Sequence, residues 1–378
     1  MAIIHLTDYV RKENAKLKLG TFRDVDALVF AQLSYLDYSP YKNGIKLEFT
    51  AEKAKEAARP SHMKEENEDL LRCAAKSLRY QHIKICKHVA ETNLLFELQF
   101  SATTFLISPR FIVIAFRGTD DTINGWKEDF NMVFLDEIPA QTKAVNYVKA
   151  IAKKYRFARI LITGHSKGGN LAFYAAMKQS KAVKKRIVSI YNLDGPDFRE
   201  NITASADYID LLPKVIKIVP EESIIGMILQ TNDYYHIVKS EGTLFAQHKM
   251  YNWHIDSETS DLIHEMSLSK SSKKIKNSLY AWLYSFNVHD RQIIIDNFFD
   301  MLQASECTTL SAFSSNLSGN IKTMYGEYKE SDSETKKLIR KTFVELAKYL
   351  MSNYFTREKD LDKKAKKFAL KRKIKEGE

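Results

Sequence analysis

At 378 residues and 44% hydrophobic content, with seven prolines and no low-complexity tract, the chain is too apolar to be disordered or fibrous and long enough for two to three domains. Its net charge of +11 is unevenly placed: residues 357–378 hold ten Lys/Arg against five Asp/Glu. That tail reads as a solvated helix end or as a contact for an anionic membrane surface; no helix-turn-helix, RNP-type strand or zinc-finger spacing accompanies it, which weighs against nucleic acid.

The N-terminus MAIIHLTDYVRKEN lacks the apolar core and cleavage pattern of a secretory signal, and no run reaches the ~18 apolar residues of a spanning helix. Cys73, Cys86 and Cys307 are odd in number and widely spaced, as in a reducing compartment. A soluble, cytoplasmic protein is expected, at most peripheral at a membrane. Cys73, His82, Cys86 and His88 do not have metal-finger spacing, so neither metal nor cofactor is expected.

In chain order, DVDALVFAQLSYLDY (24–38) predicts an amphipathic helix, and residues 51–58 and 66–90 are helix-forming. From residue 94 the period changes. Runs 94–100, 103–108 and 111–117 predict strands, followed by helices at 122–130 and 139–155, a strand at 158–164 and a helix from Gly168. KRIVSIYNLD, KVIKIV and DYYHIVKS add strands. The alternation implies an α/β fold with a mostly parallel sheet and helices on both faces. Beyond residue 258 helical spacing dominates, with Ser331 and Glu334 as a capping box and Leu338, Ile339, Phe343, Leu346, Leu350 and Tyr354 on one face. Three regions follow: a helical N-terminal segment (1–92), the α/β core (93–257) and a helical C-terminal region with the basic tail (258–378).

Within ARILITGHSKGGNLAFYAAMK, Gly164, Ser166 and Gly168 form G-x-S-x-G between an apolar β-run and a helical stretch, the setting of a nucleophile elbow. Glycine at 164 lets the strand turn, and glycine at 168 lets the helix pass close. Acyl transfer to Ser166 needs a histidine base and a carboxylate to orient it, in the chain order serine, acid, histidine. His248, in a short loop after the last strand, is the first choice of base, ahead of His254 and His236. His165 is assigned to packing, since adjacent elbow residues point apart.

GHSKGGN resembles the elbow of class 3 lipases, and AFRGTDDTINGWKEDF resembles the segment that precedes it there. TFRDVDALVFAQLSYLDY, YNLDGPDF, PEESIIGM and the QH…W pattern resemble a bacterial group of lipase-like α/β-hydrolases, the Mbeg1-like family, over residues 20–256, with the C-terminal helices outside. The resemblance implies a lipase- or esterase-type serine hydrolase of carboxylic esters, lipids among them. By position it points to Glu222 as the acid, with Asp194, Asp197 and Glu221 as alternatives. It also implies an oxyanion hole from the backbone N–H groups of Thr119 and Lys167, with Trp126 and Asp129 bracing the loop. Lys167 departs from the apolar residue usual there, and points either to the site mouth or to solvent. Residues 51–92 and the C-terminal helices are candidates for a lid. The alternative reading is a catalytically silent hydrolase frame that binds a membrane or partner through its basic helical tail.

Overall fold

The computed structural model describes residues 2–53, 63–93, 95–120, 122–230, 234–309, 312, 315–330, 332–342 and 344. The chain forms two compact units, Met1–Asp120 with Glu137–Ser267, and Asp121–Asp136 with Leu268–Glu378. Residues expected to stand apart as an N-terminal segment therefore share a unit with the sheet.

A nine-stranded sheet organises the first unit. With β1 (Ile3–Ile4) and β10 (Ile255–Asp256) pairing separately, its members are β2 (Ile45–Lys46), β3 (Lys84–Asn93), β4 (Leu98–Ser108), β5 (Phe111–Phe116), β6 (Arg159–His165), β7 (Ile187–Leu193), β8 (Val215–Pro220), β9 (His236–Val238) and β11 (His264–Glu265). Their order is β11-β9-β8-β7-β6-β5-β4-β3-β2. Strands β5 to β9 are parallel, and antiparallel strands flank them on both sides. This is the α/β class with a mostly parallel central sheet that the alternation of elements leads one to expect. All six residues of β5 are buried, as a strand covered on both faces requires.

Two boundaries differ from expectation. Residues 84–90, taken as helix, belong to β3, and the run 94–100 contains the turn 95–97 and the start of β4. Strand β3 pairs with β4 from Lys84↔Leu106 to Asn93↔Leu98, so its backbone groups are satisfied by the strand that follows it and not within a helix of its own. The helix expected at 51–58 is described as a single turn at Ala51–Lys53, and residues 54–58 lie outside the described residues.

One sheet face, with Phe105, Val113, Leu161 and Leu193, carries the helix Asp24–Leu33. The rings of Phe30 and Phe105 lie 5.1 Å apart, and Thr163 Oγ1 donates to the Ala27 carbonyl at 3.1 Å. This helix is not amphipathic in place: every residue from Val25 to Leu33 is buried. The other face carries helices Pro139–Lys154 and Lys167–Met177. There Tyr147 packs against Phe100 and Phe116 and bonds Thr104 Oγ1 at 2.8 Å.

Complete burial of Asp26 is compensated by a dense donor set. Arg79 Nε donates to its Oδ1 at 2.8 Å and Nη2 to its Oδ2 at 2.5 Å; the Tyr9 hydroxyl donates at 3.0 Å, the Tyr80 hydroxyl donates as well, and the Arg23 N–H donates at 2.7 Å. Arg79, itself buried, uses two further N–H groups on the carbonyls of Ala15 and Thr21. The network thus ties the N-terminal residues and the end of helix Lys64–Lys76 to the helix beneath the sheet.

The second unit contains the helices Ile123–Asn131, Lys270–Leu283, Val288–Gln303 and Leu317–Glu330, with 333–342 also helical. The Ile123 N–H donates to Thr308, Phe130 stacks obliquely on Phe299, and Arg291 donates to the carbonyls of Leu283, Phe286 and Val133. These bonds satisfy carbonyls that a helix end leaves open. Trp126 and Asp129 lie on the first of these helices. At the last helix, Asp332 Oδ1 accepts from the N–H groups of Glu334 and Thr335. Ser331, Phe343, Leu346, Leu350, Tyr354 and the basic tail lie outside the described residues. No helix among the described residues is long and apolar enough to cross a membrane.

Replacing Arg79 by methionine would leave Asp26 buried and unpaired, and should cost about 3–5 kcal/mol in urea unfolding. The double change Arg79→Met with Asp26→Leu should cost less than Arg79→Met alone, because it removes the stranded charge.

Candidate active site

Strand β6 ends at His165, and Ser166 follows as the N-cap of helix Lys167–Met177 with φ 57° and ψ −131°. A positive φ is costly for serine and persists where the surroundings impose it. Two bonds do so: the Ser166 N–H donates to Leu193 O, and the Ser166 carbonyl accepts from the Gly169 N–H, both at 2.9 Å. Close approach of strand and helix requires the flanking glycines. A Cβ on Gly164 would run into the Gly168 backbone, and one on Gly168 into the Phe116 carbonyl.

The FRGT segment leaves β5 beside this turn. A Cβ on Gly118 would overlap the Tyr35 hydroxyl and the His165 carbonyl and lie 3.0 Å from Ser166 Cβ, so the loop runs directly against the elbow. The Arg117 N–H donates to Ser101 O at 3.0 Å and the Asp120 N–H to Gln99 Oε1 at 3.1 Å, while Gln99 Nε2 returns a bond to Asp120. Thr119 is half-buried between these anchors. Lys167, expected at the mouth or in solvent, is 1% exposed; its aliphatic stem is enclosed with the rest of its helix, all of which is buried.

His248 ends the short helical turn Leu244–His248. Its ring centroid lies 4.4 Å from that of His165, the residue bonded to Ser166, and its carbonyl accepts from His165 Nε2 at 2.8 Å. The preceding Gln247 and the buried Trp253 hold the loop. Trp253 Nε1 donates to Gln247 O at 2.8 Å, and the Gln247 side chain bonds the Gly242 carbonyl at 3.0 Å and the Glu222 N–H at 2.9 Å. These contacts give the QH…W spacing its physical content.

The carboxylate against His248 is Asp194, not Glu222. His248 Nδ1 and Asp194 Oδ2 are 2.6 Å apart, whereas Glu222 enters this region through its backbone N–H, on Gln247. Strand order supplies the reason: β7 lies next to β6 with Leu193 paired to His165, so the residue after Leu193 falls beside the elbow, and β8, which leads to Glu222, is one strand farther out. Asp194 is fully buried with φ 48°. Its N–H donates to Ile218 O at 2.8 Å, and its Oδ1 accepts from Ser223 Oγ at 2.5 Å. The segment after β8 therefore contributes Ser223, which bonds the Asp194 carboxylate, and not the carboxylate that meets His248.

The remaining candidates lie elsewhere. His254 is beside Glu241 (3.8 Å) and the ring of His5, and burial lowers its pKa. His236 packs against His264 across the β9–β11 pair. Asp197 bonds the Tyr208 hydroxyl at 3.3 Å near Lys217, and Glu221 donates its N–H to Val238 O. Among the described residues no group of three or more His, Cys, Asp or Glu side chains is arranged to hold a metal ion. Tyr35 lies in TFRDVDALVFAQLSYLDY and Ser223 in PEESIIGM, but neither was singled out there, because each meets the site from a segment distant in the chain.

A family model, described as Mbeg1-like, matches residues 74–300. The chain belongs to the Mbeg1-like family. The match starts later than the sequence resemblance, leaving TFRDVDALVFAQLSYLDY outside, and reaches the helices Lys270–Leu283 and Val288–Gln303, which the resemblance had excluded. Among curated proteins no sequence matches. Of the solved structures similar to this Mbeg1-like chain, M37 lipase is 18% identical, covering 53% of this chain and 68% of its own, with a TM-score of 0.34. Lip2 lipase from Yarrowia lipolytica is 12% identical over 71% of this chain and 89% of its own, with a TM-score of 0.36. Lipase II from Rhizopus niveus is 15% identical over 64% and 87%, with a TM-score of 0.37.

Burial raises the Asp197 carboxyl above its ordinary pKa, opposed by the Lys217 charge, the Phe198 N–H and the Tyr208 hydroxyl. The native state therefore binds more protons than the unfolded chain once pH passes the ordinary aspartate value of about 4, and stability falls as pH rises from there to the elevated native value. Asp197→Asn should flatten this slope in urea unfolding measured across that interval.

Proposed function

We propose that this chain is a serine hydrolase of carboxylic esters that works through an acyl-serine intermediate, with Ser166 as nucleophile, His248 as general base and Asp194 as the acid. The observation that carries the reading is the 2.6 Å His248–Asp194 pair at the mouth of an elbow whose serine is held at positive φ.

A carboxylate can only accept, so Asp194 fixes the proton of His248 on Nδ1 and leaves the Nε2 lone pair for the serine hydroxyl. As Ser166 Oγ attacks the ester carbonyl carbon, its proton passes to His248 Nε2, and the imidazolium so formed lies against the buried Asp194 charge. The oxyanion is received by the backbone N–H groups of Thr119 and Lys167, each worth about 3–4 kcal/mol in such sites. Collapse breaks the bond to the leaving alkoxide oxygen, which takes the proton from His248. Water, deprotonated by the same imidazole, then attacks the acyl carbon; collapse breaks its bond to Ser166 Oγ, which takes the proton from His248 as the carboxylic acid leaves.

Position favours the two donors: Lys167 opens a helix directly after the nucleophile, and Gly118 lies against Ser166 in the preceding loop. An apolar acyl group suits Phe245, which is 61% exposed and stands three residues before His248 in the chain. Lipid esters are the substrate class that combines both features.

A fluorophosphonate probe should label the wild type, and Ser166→Ala should abolish labelling. Asp194→Asn should slow ester hydrolysis by roughly 10⁴-fold through loss of the correct tautomer, and Glu222→Gln should stay within about threefold of wild type, because it leaves the backbone bond to Gln247 in place. Labelling that persists in Ser166→Ala would overturn the assignment.

A further inference from the structure

His165, which sequence reasoning assigned to packing, forms a bridge that the triad does not account for. It is 2% exposed. Its Nε2 lies 2.8 Å from the His248 carbonyl oxygen and its Nδ1 lies 3.0 Å from the Tyr35 hydroxyl. A carbonyl only accepts, so Nε2 carries the proton; Nδ1 of the neutral ring is then the acceptor for the Tyr35 O–H. The bridge has one direction, from Tyr35 through His165 to the backbone of His248.

Covalent geometry gives this bridge its meaning. His165 is joined by a peptide bond to Ser166, so a bond from its ring to the His248 backbone sets the distance between the nucleophile's segment and the base's segment. Asp194 restrains something else, the tautomer and rotation of the His248 ring. The His248 loop leaves the sheet after β9, three strands away from β6, and the His165 bond ties it directly to the elbow. Tyr35 extends the same support to the oxyanion loop, since its hydroxyl fills the space that a Cβ on Gly118 would need. Tyr35 is 6% exposed and follows the helix Asp24–Leu33, with its N–H on Gln32 O at 3.1 Å.

We infer that His165 and Tyr35 are positioning residues, which lock the backbone of the general base and the oxyanion loop to the nucleophile elbow. The inference rests on the hydrolase reading above and adds two residues to it. A displacement of the base of around 1 Å can cost on the order of 100-fold in rate with little effect on ground-state binding.

The test compares His165→Leu, His165→Gln and Tyr35→Phe in the full chain, using a short-chain p-nitrophenyl ester, fluorophosphonate labelling rates and the far-downfield proton resonance of His248 Nδ1–H. The His165→Leu change should lower kcat by on the order of 100-fold with KM nearly unchanged. In His165→Gln, whose amide can donate from about the position of Nε2, most of that loss should be recovered. Tyr35→Phe should cost about tenfold, the worth of one hydrogen bond, with the downfield resonance retained because the Asp194 pair is intact.

The inference is overturned by a folded His165→Leu protein with wild-type kcat, or by a His165→Gln protein as slow as His165→Leu. Should His165→Leu fail to fold, Tyr35→Phe decides: wild-type kcat overturns the inference, and a kcat loss at constant KM supports it. A wild type that neither labels nor hydrolyses any ester would instead sink the hydrolase reading itself.

Discussion

The parallel pairing of β5, β6 and β7 is the constraint from which the rest of the site follows. Phe116 pairs with Gly164 and His165 with Leu193, so these strands end level with one another and their next residues emerge together. Those residues are Arg117 to Thr119, Ser166 and Asp194. Side chains alternate along a strand, and a shift by one residue would turn each of these groups to the opposite face. Apolar packing on both faces opposes such a shift, because Ile112, Val113, Ile114, Ile160, Leu161 and Ile162 are all buried. Core packing and site geometry are therefore one problem.

Two residues at this edge, Ser166 and Asp194, hold a positive φ outside glycine. Each strained residue is also donor to a neighbouring strand's carbonyl: Ser166 N–H to Leu193, and Asp194 N–H to Ile218. The sheet thereby over-determines the turns that aim the hydroxyl and the carboxylate, in the way strained functional residues are usually sustained. Beneath the sheet, the Asp26–Arg79 network performs a related service. By joining Tyr9, Tyr80 and the carbonyls of Ala15 and Thr21 to one helix, it holds Asp24–Leu33 against β6, and this places Tyr35 under the elbow.

Local sequence pattern carried the elbow well, because the motif GHSKG lies within one strand–turn–helix unit and Gly164 answers to the backbone of Gly168 in the same unit, although Gly168 answers to Phe116 on the neighbouring strand. The loop that carries His248 was legible for a similar reason: Gln247 and Trp253, which hold it, are near neighbours in the chain. The β3 boundary was not readable. KICKHVAETN is half-exposed and has weak alternation, and it becomes a strand because β4 lies alongside it.

The choice among Glu222, Asp194 and Asp197 could not be made from residue types, since each follows an apolar run and precedes a turn. Adjacency of strands sets which carboxylate meets His248, as β7 rather than β8 stands next to β6. The His165 bridge belongs with this second group, because its partners Tyr35 and His248 are 130 and 83 residues away. Interactions within a turn of chain leave a mark in a local pattern. Interactions across a sheet depend on which segments become neighbours, and that is settled by the burial of the whole core.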